Sequence, residues 1–250
     1  MTRFAGSADQ SRDRGGDLWV FAYGSLMWRP GFPFAEVARA RVTGYSRRFC
    51  VASVHHRGSP GRPGLVLGLD RGGVCEGLVY RVPAKEARAT LAYLREREQV
   101  NGVYREVRVE AELDARSHAK PVLAVAYLVE RAHPSYVGRL PLACQARLIT
   151  GARGLSGVNL DYLVNTLRHM RELGIREREL ERLLGVIGGV FGRCRSAPCR
   201  CASAGPASAR AEALCRAQRC RAEGARLVRR MKPGDRRRFS YRRHLSDADV

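Results

Sequence analysis

Trp19-Val20-Phe21-Ala22-Tyr23-Gly24-Ser25-Leu26-Met27-Trp28 is an apolar strand that runs straight into a small-residue turn and is closed again by bulky apolar groups. A turn of this kind exposes backbone N–H groups. Gly24 can take a positive φ there and let a ligand approach the main chain, while the Ser25 hydroxyl adds a donor or acceptor. Successive N–H groups in such a turn form a concavity suited to a carboxylate or phosphate. A plain hairpin turn in a hydrophobic strand reads the same way, so this segment alone leaves both readings open.

Outward from that strand, Leu18 to Tyr80 is a series of short apolar runs punctuated by Gly58-Ser59-Pro60-Gly61-Arg62-Pro63-Gly64 and Asp70-Arg71-Gly72-Gly73, the texture of β structure with tight turns. Leu65–Leu69 and Val74–Val82 read as two strands. Pro83 suits a first helical turn, and Ala87, Leu91 and Leu94 then give Ala84–Arg97 one apolar stripe, which puts Glu98 at or just past a helix end. Val103–Leu113 alternates as a half-buried strand does, and Pro121–Val129 is apolar enough for a central one. Helices follow at Leu140–Ile149, at Asn159–Leu173 with Leu160, Leu163, Val164, Leu167 and Met170 inward, and at Arg176–Ile187. Asn159 is expected to cap its first turn and Gly174 to close the last. Strands first and helices later predict an α+β domain.

The chain has 250 residues, 45% of them hydrophobic, enough for a packed core. Its organisation reads as a polar leader (1–16), a body (17–190) and an Arg/Ala/Cys-rich tail (191–250). The tail's composition suggests disorder with a short helix around 208–230. No apolar run approaches the ~18 residues that span a bilayer, and neither end shows a signal sequence, so a soluble, cytoplasmic protein is expected. The net charge is +21, and the tail supplies +11 of it from 16 basic and 5 acidic residues. Dense arginine attracts nucleic acid. Yet the remaining charge is spread without a block, and arginine dominance over lysine fits a GC-rich genome better than a phosphate-binding surface. Cys50, Cys75 and Cys144 sit on body elements as small buried hydrophobes do; Cys194, Cys199, Cys201, Cys215 and Cys220 in the tail have neither a CxxC pair nor a close His, so no metal site is expected. A phosphate-binding P-loop and a dinucleotide-binding glycine turn are absent too, so no cofactor is expected.

Further motifs follow the first turn in order: Gly44-Tyr45-Ser46-Arg47-Arg48-Phe49, His55-His56-Arg57-Gly58, Arg97-Glu98-Gln99-Val100-Asn101-Gly102-Val103-Tyr104, His133-Pro134-Ser135-Tyr136 and Ser156-Gly157-Val158-Asn159-Leu160-Asp161-Tyr162-Leu163. Together they resemble the ChaC family of γ-glutamylcyclotransferases, which act on glutathione, over roughly residues 17 to 187. Ala22 stands where many members carry Gly. The resemblance implies a small mixed β-barrel-like sheet flanked by helices, and a lyase that releases 5-oxoproline and Cys-Gly from glutathione without a cofactor. Sibling enzymes prefer γ-glutamyl amino acids or γ-glutamylamines and would share these motifs. A different class, nucleic-acid binding through the arginine tail, is the further alternative.

In that chemistry the substrate's own α-amino group attacks its side-chain carbonyl, and orientation replaces a catalytic nucleophile. An α-amine with a reference pKa of about 8 is largely ammonium at neutral pH, so a base must take its proton and can return it to the departing nitrogen. By resemblance that base is Glu98. Arg95-Glu96-Arg97-Glu98 also reads as a solvated charge run, with Glu96 as a decoy two positions away that faces elsewhere. The same resemblance implies that the Tyr23-Gly24-Ser25-Leu26 turn binds the α-carboxylate and that Tyr104 orders the loop after Glu98 or bonds to substrate. Arg57 is a candidate partner for the glycine carboxylate, since a guanidinium pairs well with such a group.

Overall fold

A computed structural model describes residues 16–99, 101–114 and 120–195. All but the last residue of the expected leader and the expected helix around 208–230 lie outside them. Five strands, β1 (Leu18–Ala22), β2 (Glu36–Ser53), β3 (Gly64–Val82), β4 (Tyr104–Leu113) and β5 (Val122–Val129), close into a barrel in the order β1-β3-β2-β4-β5. The pairings are antiparallel except where β5 meets β1 in parallel at closure, through Val20 and Val125, and touches β3 in parallel through Leu69 and Leu128. Helix α1 (Ala84–Glu98) joins β3 to β4, and α2 (Leu142–Gly151), α3 (Asn159–Glu172) and α4 (Arg178–Arg195) follow β5. A two-residue ribbon, β6 (Arg153–Gly154) with β7 (Gly157–Val158), separates α2 from α3. The chain is thus α+β with a barrel flanked by helices. Among the described residues no helix is long and apolar enough to cross a membrane.

β1 explains why the opening stretch carries so much of the fold. Its five residues are all buried, and they divide by alternation. Leu18, Val20 and Ala22 join a core shared with Leu163, Leu167, Met170, Leu180 and Leu183 of the helices, whereas Trp19 and Phe21, followed by Tyr23 just past the strand, join a second core with Val42, Leu69, Val79 and Leu128 of the barrel. A strand buried on both faces must sit between two layers, so the turn after it emerges in the middle of the molecule.

Three expectations need correction. Asp70-Arg71-Gly72-Gly73 is not a turn. β3 runs unbroken from Gly64 to Val82, paired along β2, and the register shifts where Gly44 faces Gly72 and Gly73. All three glycines have φ near +90° (88°, 94° and 90°), so a bulge bends the ribbon where a reversal was expected. Asn159 does not cap α3. Its fully buried amide accepts from Leu65 N–H and donates to Leu65 C=O, both at 2.7 Å, and so closes the main chain of β3 as a neighbouring strand would. Val164 is exposed, because the stripe that docks runs through Leu163, Leu167 and Met170 and leaves Val164 at its rim. Gly174, at φ 69°, ends α3 as expected, with Ile175 N–H donating to Met170 C=O at 2.8 Å. The last helix continues to Arg195, beyond the stretch its periodicity marks. Cys50, Cys75 and Cys144 are buried, as read from the sequence.

Candidate active site

The chain leaves β1 at Ala22 and tightens into a single 3₁₀ turn over Ser25–Met27. Within it Met27 N–H donates to Gly24 C=O at 2.9 Å and Arg29 N–H to Ser25 C=O at 2.8 Å, so these carbonyls are consumed inside the turn. Tyr80 Oη lies 2.8 Å from Met27 C=O and 3.2 Å from Leu26 C=O, pinning the far side. Gly24 itself has φ −136° and does not use the positive value open to glycine, and a Cβ placed there would meet nothing within 4 Å. What glycine supplies is unfilled space.

α1 delivers Glu98 as its last residue. Gln99 N–H donates to Arg95 C=O at 3.0 Å, Gly102 at φ 72° turns the chain, and β4 begins at Tyr104. Arg95 chelates Glu106 of β4 at 2.7 and 2.8 Å, which ties the helix end to the barrel. Arg97 links the two halves of the site. Its Nη2 donates to Ser25 Oγ at 3.1 Å, its Nη1 to Arg29 C=O and Tyr93 Oη at 2.8 Å each, and its Nε lies 3.3 Å from Glu98 Oε1. Glu96, by contrast, is exposed. Burial pushes the Glu98 carboxyl above the usual carboxylate range, and the Arg97 cation pulls the other way.

Glu98, Tyr23, Gly24, Ser25, Leu26, Arg57 and Tyr104, all named from the sequence, line one cavity of about 260 Å³. Residues not named as site candidates from the sequence complete it: Phe21 and Tyr127 from the barrel, Val66 and Leu67 from β3, Ser156 from the β6–β7 ribbon and Tyr162 from α3, although Ser156 and Tyr162 lie in one of the quoted motifs. Tyr127 and Tyr162 lie on alternating or helical apolar patterns that read simply as core. His56 also lines the cavity, its Nδ1 2.9 Å from Ser156 Oγ, and burial lowers its pKa. Arg57 stands over the Tyr162 ring, 5.2 Å from the centroid, and donates to Val158 C=O at 3.2 Å.

The phenols fix polarity in this cavity. Tyr23 Oη donates to Tyr127 C=O at 2.9 Å and Tyr104 Oη to Leu67 C=O at 2.6 Å. Burial holds both well above 10, and Tyr162 is pushed up to about 12. A hydroxyl whose proton is spent on a carbonyl has only lone pairs left for a ligand. Near Glu98, then, the wall offers one carboxylate and phenolic acceptors, a setting for a cation. Across the cavity Arg57 offers a setting for an anion.

The family model for ChaC-like proteins matches residues 18–189. Among curated relatives, the human glutathione-specific gamma-glutamylcyclotransferase 1 is 37% identical over 177 residues, 69% of this chain and 78% of its own length. The Escherichia coli glutathione-specific gamma-glutamylcyclotransferase is 32% identical over 169 residues, covering 68% of this chain and 72% of its own. A crystal structure of a γ-glutamyl cyclotransferase specific to glutathione from yeast matches with a TM-score of 0.63 at 24% identity, covering 70% of this chain and 96% of that one, a likeness of fold.

Proposed function

The chain belongs to the ChaC-like family, and on that premise we propose that it is a glutathione-specific γ-glutamylcyclotransferase that closes the γ-glutamyl group into 5-oxoproline and releases Cys-Gly. One observation carries the mechanism: a half-buried carboxylate, Glu98, shares a cavity with the turn that follows β1.

The α-carboxylate of the substrate rests on main-chain N–H groups of the Tyr23–Leu26 turn, which sets the adjacent ammonium among Glu98 and the acceptor oxygens of Tyr23 and Tyr104. Glu98 takes a proton from that ammonium. The freed amine attacks the γ-carbonyl carbon and a C–N bond closes the five-membered ring; the old amide C–N bond breaks as the protonated Glu98 gives its proton to the departing cysteinyl nitrogen, and the second proton shed by the ring nitrogen follows through the same carboxylate, so 5-oxoproline leaves as the lactam and Cys-Gly as its ammonium form. No water is consumed. A raised carboxyl pKa suits a group that must first take and then give a proton near neutrality. Holding both reacting ends in one small cavity supplies the remainder, since well-oriented internal reactions reach effective molarities of about 10⁵ M or more. Arg57 and the His56–Ser156 pair meet the Cys-Gly half. We further propose that the body (17–190) is the catalytic unit and that the enzyme works in the cytoplasm, where reducing conditions suit buried cysteines such as Cys50 and Cys75 that form no disulfide.

The test is to incubate the full chain with glutathione and, separately, with γ-glutamyl-alanine, and to follow 5-oxoproline. Release of 5-oxoproline with Cys-Gly from glutathione, at a kcat/KM well above that for the dipeptide, supports the reading. Preference for the dipeptide would reassign the enzyme to its sibling class, and no product from either would overturn the activity.

A further inference from the structure

Arg47 lies within β2 with its side chain fully buried, and the reaction steps give it no role. Its guanidinium gathers three parts of the chain. Nε donates to Tyr23 C=O; Nη2 donates to Glu76 C=O of β3 at 2.5 Å and lies 3.8 Å from Met27 Sδ; Nη1 pairs at 3.2 Å with Glu177, in the connection before α4. Burying a guanidinium is costly, and apolar side chains of similar volume commonly fill such a space at least as stably. The contacts therefore call for a reason beyond packing.

Two of them bracket the turn, the Tyr23 carbonyl at its start and Met27 at its end. In a trans peptide the carbonyl of one residue and the N–H of the next point in opposite directions. Holding the Tyr23 carbonyl on Arg47 therefore turns the Gly24 N–H the other way, and Gly24 lines the cavity while Arg47 does not. Glu177 offsets the charge of Arg47, so its effect is to fix a plane more than to attract at a distance. We propose that Arg47, held by Glu177, is the positioning residue of the turn, locking the Tyr23–Gly24 peptide with its N–H aimed at a bound α-carboxylate. This deepens the functional reading above and rests on it.

The experiment compares glutathione with an analogue whose glutamyl α-carboxylate is a carboxamide, using the wild type, Arg47→Lys and Arg47→Met. The wild type should prefer the carboxylate. Arg47→Lys, which keeps the charge but loses the planar fork, should raise KM for glutathione about tenfold or more, with a smaller change in kcat. The analogue's kcat/KM should stay within about twofold, because the interaction lost is one the amide never fully made. Arg47→Met should collapse the preference further. Should both variants fail to fold, Glu177→Gln carries the same test, with a smaller rise in KM confined to glutathione. Equal losses on both substrates, or an unchanged preference in folded variants, would overturn the role of Arg47 and leave the carboxylate turn standing. A wild type indifferent to the α-carboxylate would overturn the turn and this inference together.

Discussion

At the Tyr23–Leu26 end of the cavity buried side chains hold the backbone, whereas the His56–Arg57 end is laced mainly by main-chain bonds between two loops, with the Ser53 hydroxyl and the Arg57 guanidinium adding one bond each. The first end is fixed from behind by Arg47 on the Tyr23 carbonyl and Tyr80 on the Leu26 and Met27 carbonyls, and half-buried Arg97 adds a bond to the Ser25 hydroxyl. At the second, Leu155 and Ser156 N–H donate to His55 and His56 C=O at 2.9 Å each, and Ser59 and Arg62 close their own small bridge. Side chains reaching from distant elements constrain a turn in several directions at once. Two loops laced by main-chain bonds tolerate changes in the side chains they carry. The contrast assigns the invariant chemistry to the first end and discrimination among leaving groups to the second.

The largest expected effect falls on the carboxylate at the first end. Glu98→Gln should keep the fold and lower kcat for glutathione by about 10³-fold, within the range that general acid–base groups contribute. Its stability carries a sign as well. Because burial raises the Glu98 pKa above 4.5 in the folded chain, the ionised form is disfavoured there, so wild-type stability falls relative to the glutamine variant as pH rises through and beyond 4.5. Thermal melts should place Glu98→Gln above the wild type at pH 7 and bring the two together below pH 4.5. A folded variant with wild-type turnover would remove the base from the account.

Gly24→Val comes next. The backbone at Gly24 has a negative φ and open space beside it, so valine should leave the fold intact and instead occupy room in the cavity. Steady-state kinetics should show KM for glutathione rising by about tenfold or more, the cost of a lost charge-assisted contact. Unchanged KM and kcat would mean that the α-carboxylate does not sit there.

Arg57→Gln probes the other end and sharpens the contrast. It should raise KM for glutathione about fivefold to tenfold while sparing γ-glutamyl-alanine, which lacks the glycine carboxylate. Equal losses on the two substrates would erase the division between chemistry and discrimination.

The smallest effect is a shift along the pH axis. The base must be ionised to act, so kcat/KM should climb with pH as Glu98 loses its proton, at a pH above 4.5. Arg97 favours the ionised form from 3.3 Å, so Arg97→Met should move that limb to higher pH and Arg97→Lys should largely restore it. A limb that stays in place would show that Arg97 serves structure alone.

These residues were unequally legible in the sequence. The β1 strand and the turn after it are visible because an apolar run meets Tyr-Gly-Ser without an intervening polar residue, and the periodicity of Ala87, Leu91 and Leu94 finds α1 to within one residue of its end. Choosing Glu98 over Glu96 required the family resemblance, since both sit in one charge run. Gly72 and Gly73 misled because positive-φ glycines serve bulges as well as turns, and only the partner strand, with Gly44 opposite, separates the two. Arg47 was hidden for a different reason. A charged residue in a strand reads as facing water, and nothing local reveals that Tyr23, Glu76 and Glu177 converge on it. Ser156 and Tyr162 reach the cavity only because the connection after α2 folds back onto the β2–β3 loop, an arrangement with no local signature.

The central claim is that the substrate's own amine closes the ring while Glu98 carries the proton, with no water entering the bond that breaks. Running the wild-type enzyme on glutathione in H₂¹⁸O and analysing the products by mass spectrometry tests it most directly. The account predicts 5-oxoproline and Cys-Gly in equal amounts with no ¹⁸O in either; free glutamate carrying ¹⁸O in its γ-carboxyl group would contradict it.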